Sequence, residues 1–122
     1  ACRLLAPGGR LLVRIPLMGT EPWRTYGTDW AALDAPRHLA IPTDRGLAAI
    51  ARRCDLRIDD WYCDAPTFGW WGSELYRQDI PYVSQPSGIA HSAPQRPELD
   101  RLVEAANARR DGDTAVFVLS PL

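Results

Sequence analysis

Ala6-Pro7-Gly8-Gly9 runs straight into a six-residue apolar segment, Arg10 to Ile15 (RLLVRI), which Pro16 closes. That junction narrows the possible folds more than any other part of the chain. Pro7 stops a helix and the glycines permit a left-handed turn, so Ala1 to Ala6 reads as the last turns of a helix, with Leu4 and Leu5 facing inward. Arg10 to Ile15 is too short for a helix and rich in Leu, Val and Ile, so it reads as a largely buried strand. Helix, tight turn and buried strand in direct succession are an α/β signature. The first residue is Ala, inside an element, and the chain is expected to lack its natural start.

Two further runs complete a sheet. Ala115 to Leu119 (AVFVL) is continuously apolar and suits a central strand, whereas Leu56 to Tyr62 (LRIDDWY) alternates imperfectly, as expected of a strand with one wetter face near a sheet edge. Thr43 is placed to cap a helix in which Leu47, Ile50, Ala51 and Cys54 share one face, with Asp44 in its first turn and its end at Asp55. A second helix is expected over Glu98 to Arg110, with Leu99, Leu102, Val103 and Ala106 on one face. A short one is expected over Ser73 to Gln78, ended by Pro81. Val83 to Pro97 holds Pro, Ser, Gly and Gln and reads as a mobile surface loop.

Composition excludes several function classes. At 122 residues the chain is at most one domain, with no internal repeat and no linker. Its net charge is −1 and its basic residues, all Arg, are scattered, so the basic stripe of a nucleic-acid binder is missing. Cys2, Cys54 and Cys63 have no spacing that supports a disulfide framework or a zinc site. No apolar run is long enough to cross a bilayer and no leader opens the chain, so the protein is expected to be soluble and cytoplasmic, with no membrane partner.

Function is expected in Leu17 to Pro42, a long segment with no sustained period, where only Asp29 to Leu33 suggests a helical turn. Its centre, Trp23 to Leu39 (WRTYGTDWAALDAPRHL), is dense in aromatic and hydrogen-bonding groups. Trp23, Tyr26 and Trp30 could line a substrate pocket or pack the loop over the sheet. Arg37, like Arg24, could clamp an anionic group or stay solvated. His38 could act as a general base or pin the loop by hydrogen bonds, and Asp34 could orient His38 or simply close a turn. A second aromatic cluster, TFGWWGSELYRQD, holds Phe68, Trp70, Trp71 and Tyr76 with Glu74 and suggests a lid, a substrate wall or a subunit contact. Glu74 and Arg77 also have the spacing of a helix-surface pair.

Three pieces, RLLAPGGRLLVRIP, DAPRHLAIPTDRGLAAIARRCDLRI and AVFVL, together resemble the carboxy-terminal portion of a class I S-adenosylmethionine-dependent methyltransferase of the bacterial type 11 or type 23 kind. The resemblance covers most of the chain and implies a Rossmann-like α/β sheet with flanking helices. Arg10 to Ile15 and Leu56 to Tyr62 would stand as its fifth and sixth strands, and Ala115 to Leu119 as an antiparallel seventh strand between them, in a three-layer arrangement. Cys54-Asp55-Leu56 departs from the family's usual Gly-Phe at the helix end.

The family's glycine-rich cofactor loop and ribose-binding acid have no counterpart in this sequence, and Pro7 to Gly9 is no substitute. The resemblance therefore implies a single partial domain, residues 1–122, carrying the substrate side of the enzyme. It implies no S-adenosylmethionine-binding residue here and no activity in this polypeptide alone. His38 is the candidate catalytic residue, and Trp23, Tyr26, Trp30, Asp34, Arg37, Trp71 and Glu74 are the candidates for binding a small-molecule methyl acceptor. The outer edge of Arg10 to Ile15 is expected to be unpaired and open to self-association. The competing expectation is a non-catalytic interaction module that uses the two aromatic clusters as a partner surface.

Overall fold

The computed structural model describes residues 4–81 and 96–122. Their order is β1 (Leu11–Pro16), α1 (Glu21–Tyr26), two 3-10 turns (Gly27–Asp29 and Ala31–Leu33), α2 (Asp44–Arg53), β2 (Leu56–Cys63), α3 (Phe68–Arg77), α4 (Arg96–Ala108) and β3 (Thr114–Pro121). The strands form one sheet in the order β1-β3-β2, and both outer strands are antiparallel to β3. β1 and β2 therefore run in the same direction with the last strand of the chain between them, which is the position expected for Ala115 to Leu119. The fold is mixed α/β: a small three-stranded antiparallel sheet with flanking helices.

Register decides which residues form the core. Val13 and Trp61 both lie opposite Phe117, and a bulge at Asp59 keeps the apolar residues of β2 on the same face as those of β3. That face carries Leu11, Val13 and Ile15 of β1, Ala115, Phe117 and Leu119 of β3, and Leu56, Ile58, Trp61 and Cys63 of β2. Leu47 and Ala51 of α2 pack onto it together with Leu17. α2 starts as expected, with the Thr43 hydroxyl accepting the Gly46 N–H at 3.0 Å. It ends with Asp55 in the left-handed region at a φ of 55°, so the chain turns there without a glycine.

The opposite face differs from expectation. Leu12 is 67% exposed and Tyr62 is half-exposed, and no side chain of that face belongs to either hydrophobic cluster of the described residues. β1, expected to be largely buried, alternates between a packed and an open face, while Val116 on the same side of the central strand is 8% exposed. At its amino end the expected turn forms, with the Gly9 N–H donating to the Ala6 carbonyl at 2.8 Å and Gly8 at a φ of 75°. Leu5 packs against the core, but Leu4 points outward at 89% exposure, and Ala1 to Arg3 lie outside the described residues.

The helices hold two more differences. α1 was not anticipated, because six residues are too few to show a period; its local signals are Glu21 and Pro22 at the start and Gly27 at the end. α3 begins at Phe68, not Ser73, because Gly69 and Gly72, which read as turn formers, are needed inside the helix for close contacts. Most of the expected loop Val83 to Pro97 lies outside the described residues, and Arg96 and Pro97 form the start of α4.

Candidate functional site

Because β1 and β2 run parallel, the segments that follow them leave the sheet at the same end. The segment after β1 folds into α1 and the two 3-10 turns, and the segment after β2 becomes α3. These two pieces, which carry the two aromatic clusters of the sequence, pack together into a second core of Tyr26, Trp30, Ala65 and Trp70 with Val103 and Ala106 of α4.

A buried carboxylate holds that core to the sheet. Asp113, at the entry to β3, is 1% exposed, and its backbone carbonyl accepts the Leu17 N–H at 2.8 Å. Its Oδ2 accepts the Trp30 indole N–H at 3.0 Å, and its Oδ1 accepts the Thr114 hydroxyl at 3.2 Å. Burial pushes the Asp113 carboxyl above its ordinary value, and the Trp30 and Thr114 hydrogen bonds oppose that rise only in part. α3 reaches the carboxylate because residue 69 has no side chain: a Cβ on Gly69 would lie 1.7 Å from Asp113 Oδ2. A Cβ on Gly72 would lie 3.0 Å from that of Ala31. The buried Ser73 hydroxyl accepts the Ala31 N–H at 2.9 Å and donates to the Gly69 carbonyl.

Nearer the surface, the Tyr26 hydroxyl donates to Glu74 Oε1 at 2.9 Å, and the Arg77 guanidinium lies 4.6 Å from the centre of the Tyr26 ring. Arg77 also donates to the Thr25 carbonyl at 2.9 Å. Burial first, and the Glu74 hydrogen bond second, push the Tyr26 phenol up, so it stays protonated and donates. The Trp23 ring meets Trp30 edge-on, with centroids 6.2 Å apart.

The structure thus brings Trp23, Tyr26, Trp30 and Glu74 into one packed body, with Trp71 half-buried on α3 beside them. Trp30 is 1% exposed, so the wall-lining role expected of it is corrected to that of an anchor. Asp34, Arg37 and His38 stand apart from that body. Asp34 adopts a φ of 39°, pairs with Arg37 Nε at 3.1 Å and accepts the Arg37 N–H through its backbone carbonyl at 2.8 Å. It closes a turn instead of orienting His38. The His38 Nδ1 lies 3.0 Å from the Ala32 carbonyl, and because a carbonyl only accepts, Nδ1 carries the proton in that contact.

Asp113, Gly69 and Ser73 escaped the reading of the sequence. A signal was present: Gly69, Gly72 and Ser73 recur at the spacing of one helix face, which marks a flank built for close approach. Cys63 is buried and its thiol pushed up by burial, which does not suit a nucleophile. Among the described residues no group of three or more His, Cys, Asp or Glu comes together to hold a metal. The glycine turn that follows β1 does not fit S-adenosylmethionine. After β1, Gly19 leads into α1, but the Glu21 N–H that a ligand would use is already taken by the Asp111 carbonyl at 3.2 Å and its Oδ1 at 3.1 Å. The Pro7 to Gly9 turn lies at the amino end of β1, away from the carboxyl ends.

No family model, curated protein or solved structure matches the chain. No described helix is long and apolar enough to cross a membrane.

Proposed function

We propose that the chain is the carboxy-terminal, substrate-side part of a class I S-adenosylmethionine-dependent methyltransferase acting on a small-molecule acceptor. The observation that carries the reading is the order β1-β3-β2, in which the last strand of the chain inserts antiparallel between two strands that run parallel. That is how the resembled family closes its sheet. The paired loop and α3 then lie over the carboxyl ends of β1 and β2, where an acceptor would face the cofactor. Between the Gly27–Asp29 turn and the end of α3 a recess of about 370 Å³, lined by Thr28, Asp29, Tyr76 and Ile80, has the dimensions of a small-molecule site.

Positioning supplies most of the rate in transfer of a sulfonium methyl group. His38 suits an acceptor that must lose a proton, because its Nδ1–H is committed to the Ala32 carbonyl and Nε2 is left as the acceptor nitrogen. The rival reading, an aromatic partner surface, would have to rest on Phe68 and Tyr76, which stay exposed, since Tyr26, Trp30 and Trp70 are turned into the core.

The test compares the 122-residue chain with the same chain extended by its upstream in-frame coding region. Calorimetric titration with S-adenosylmethionine and transfer of a labelled methyl group to small acceptors are read for both. Binding and transfer by the extended polypeptide alone are expected. One-site micromolar binding by the 122-residue chain, or an upstream region lacking a glycine-rich loop followed by an acidic residue, overturns the reading.

A further inference from the structure

β1 is hydrogen-bonded on one side only among the described residues, and its other edge presents a row of backbone donors and acceptors. That edge is flanked by apolar surface on both faces of the sheet. On one face lies the exposed Leu12; on the other, Leu11 and Val13 border a groove of about 840 Å³ that runs to Ile50 and Ala51 of α2. Arg14, the charged residue in the middle of the strand, is already paired with Asp64 at 2.8 Å.

We propose that in the 122-residue chain this edge is taken by a second copy, β1 pairing antiparallel with its twin about a twofold axis through Val13. The register follows from charge and face. A twofold axis normal to the sheet keeps odd residues opposite odd ones and even opposite even, and a register that opposes at least five residues of Arg10 to Pro16 centres on Leu12, Val13 or Arg14. Centring on Leu12 sets Arg10 opposite the twin's Arg14, and centring on Arg14 sets Arg14 against itself, each a like-charge pair directly opposed. Centring on Val13 opposes Leu11 to Ile15, Leu12 to Arg14 and Arg10 to Pro16, with no like charges facing. The apolar stripes of the two copies then join into one, covering the outer wall of each groove.

The proposal stands independently of the methyltransferase reading. A longer chain whose added strands cover β1 stays monomeric, and its methyl transfer is scored separately. The test is analytical ultracentrifugation of the 122-residue chain and of Leu12→Lys and Leu12→Glu, with circular dichroism to show that both variants fold, as the exposure of Leu12 allows. The parent chain sediments as a dimer. Leu12→Lys faces Arg14 of the twin at two symmetric positions and raises the dissociation constant about tenfold, while Leu12→Glu keeps or tightens the dimer. A parent chain that stays monomeric at high concentration overturns the proposal. So does equal weakening by both variants, which places Leu12 against itself, and so does indifference to both, which places the contact elsewhere.

Discussion

The segment that leaves β1 contains two regions of different physical character. From Glu21 to Leu33 the aromatic side chains turn inward: Trp30 reaches Asp113 and Tyr26 reaches Glu74, while the Ala31 N–H reaches Ser73. From Asp34 to Ala40 they turn outward, held by a local Asp34–Arg37 pair and one His38 contact, with the Arg37 side chain 78% exposed. Both regions are polar and aperiodic in sequence, although Trp23, Tyr26 and Trp30 all fall in the first. What separates them is that the first has something to pack on, a helix whose flank of Gly69, Gly72 and Ser73 admits the chain, and the second does not.

The contrast is broken most severely by removing the anchor. Trp30→Ala opens a cavity and strands a buried carboxylate, and is expected to cost about 4 kcal/mol in denaturant unfolding. Gly69→Ala drives a methyl group into Asp113 and is expected to cost about 3 kcal/mol. Arg37→Ala, in the outward region, is expected to stay within about 0.5 kcal/mol of the parent. If Arg37→Ala destabilises as much as Trp30→Ala, the two regions are one cooperative unit and the comparison fails.

A smaller effect sharpens the role of Asp113. The folded chain holds the Asp113 proton more tightly than the unfolded chain does, since burial raises its carboxyl and the charge of Arg14 lowers it less. Its contribution to stability is therefore full below the ordinary carboxylate value and is lost as pH rises through the raised value, the reverse of an ion-paired carboxylate. Asp113→Asn keeps an acceptor for the Trp30 N–H and removes the titration, whereas Asp113→Ala leaves that N–H unpaired at a cost of about 2 kcal/mol. The melting temperature of the parent relative to Asp113→Asn should fall as pH rises across that window. A flat difference, or one that rises, shows that burial does not govern this carboxyl.

The strands and α2 were legible because hydrophobic period and capping are local. Phe117 and Leu119 could be assigned to a central strand from AVFVL alone, and Thr43 to a cap from its place before Leu47. The organisation of the site was not legible, because it depends on contacts distant in sequence: Trp30 with Asp113, Ala31 with Ser73, Tyr26 with Glu74. An Asp in a D-G-D turn reads as solvated, and only the arrival of an indole and a helix flank makes it a buried anchor. The open face of β1 was misjudged for a related reason, since LLVRI shows that a strand can be covered on both faces and not that something covers it.

The smallest expected effect lies at the join of the two regions, where His38 donates to the carbonyl of Ala32. His38→Ala removes one partly buried hydrogen bond and is expected to cost about 1 kcal/mol, well short of the anchor variants. His38→Asn separates the pin from the base, because the amide N–H₂ can occupy the Nδ1 position and donate to Ala32, while nothing in Asn takes the place of Nε2. Thermal melts of the 122-residue chain should show His38→Asn recovering most of what His38→Ala loses. In the upstream-extended chain the proposed methyl transfer separates the roles: a base requires both variants to lose turnover alike, whereas a pin requires activity to return with stability in His38→Asn. Full turnover in His38→Asn would rule out proton transfer at Nε2 and leave His38 as the stitch between an anchored loop and its free limb.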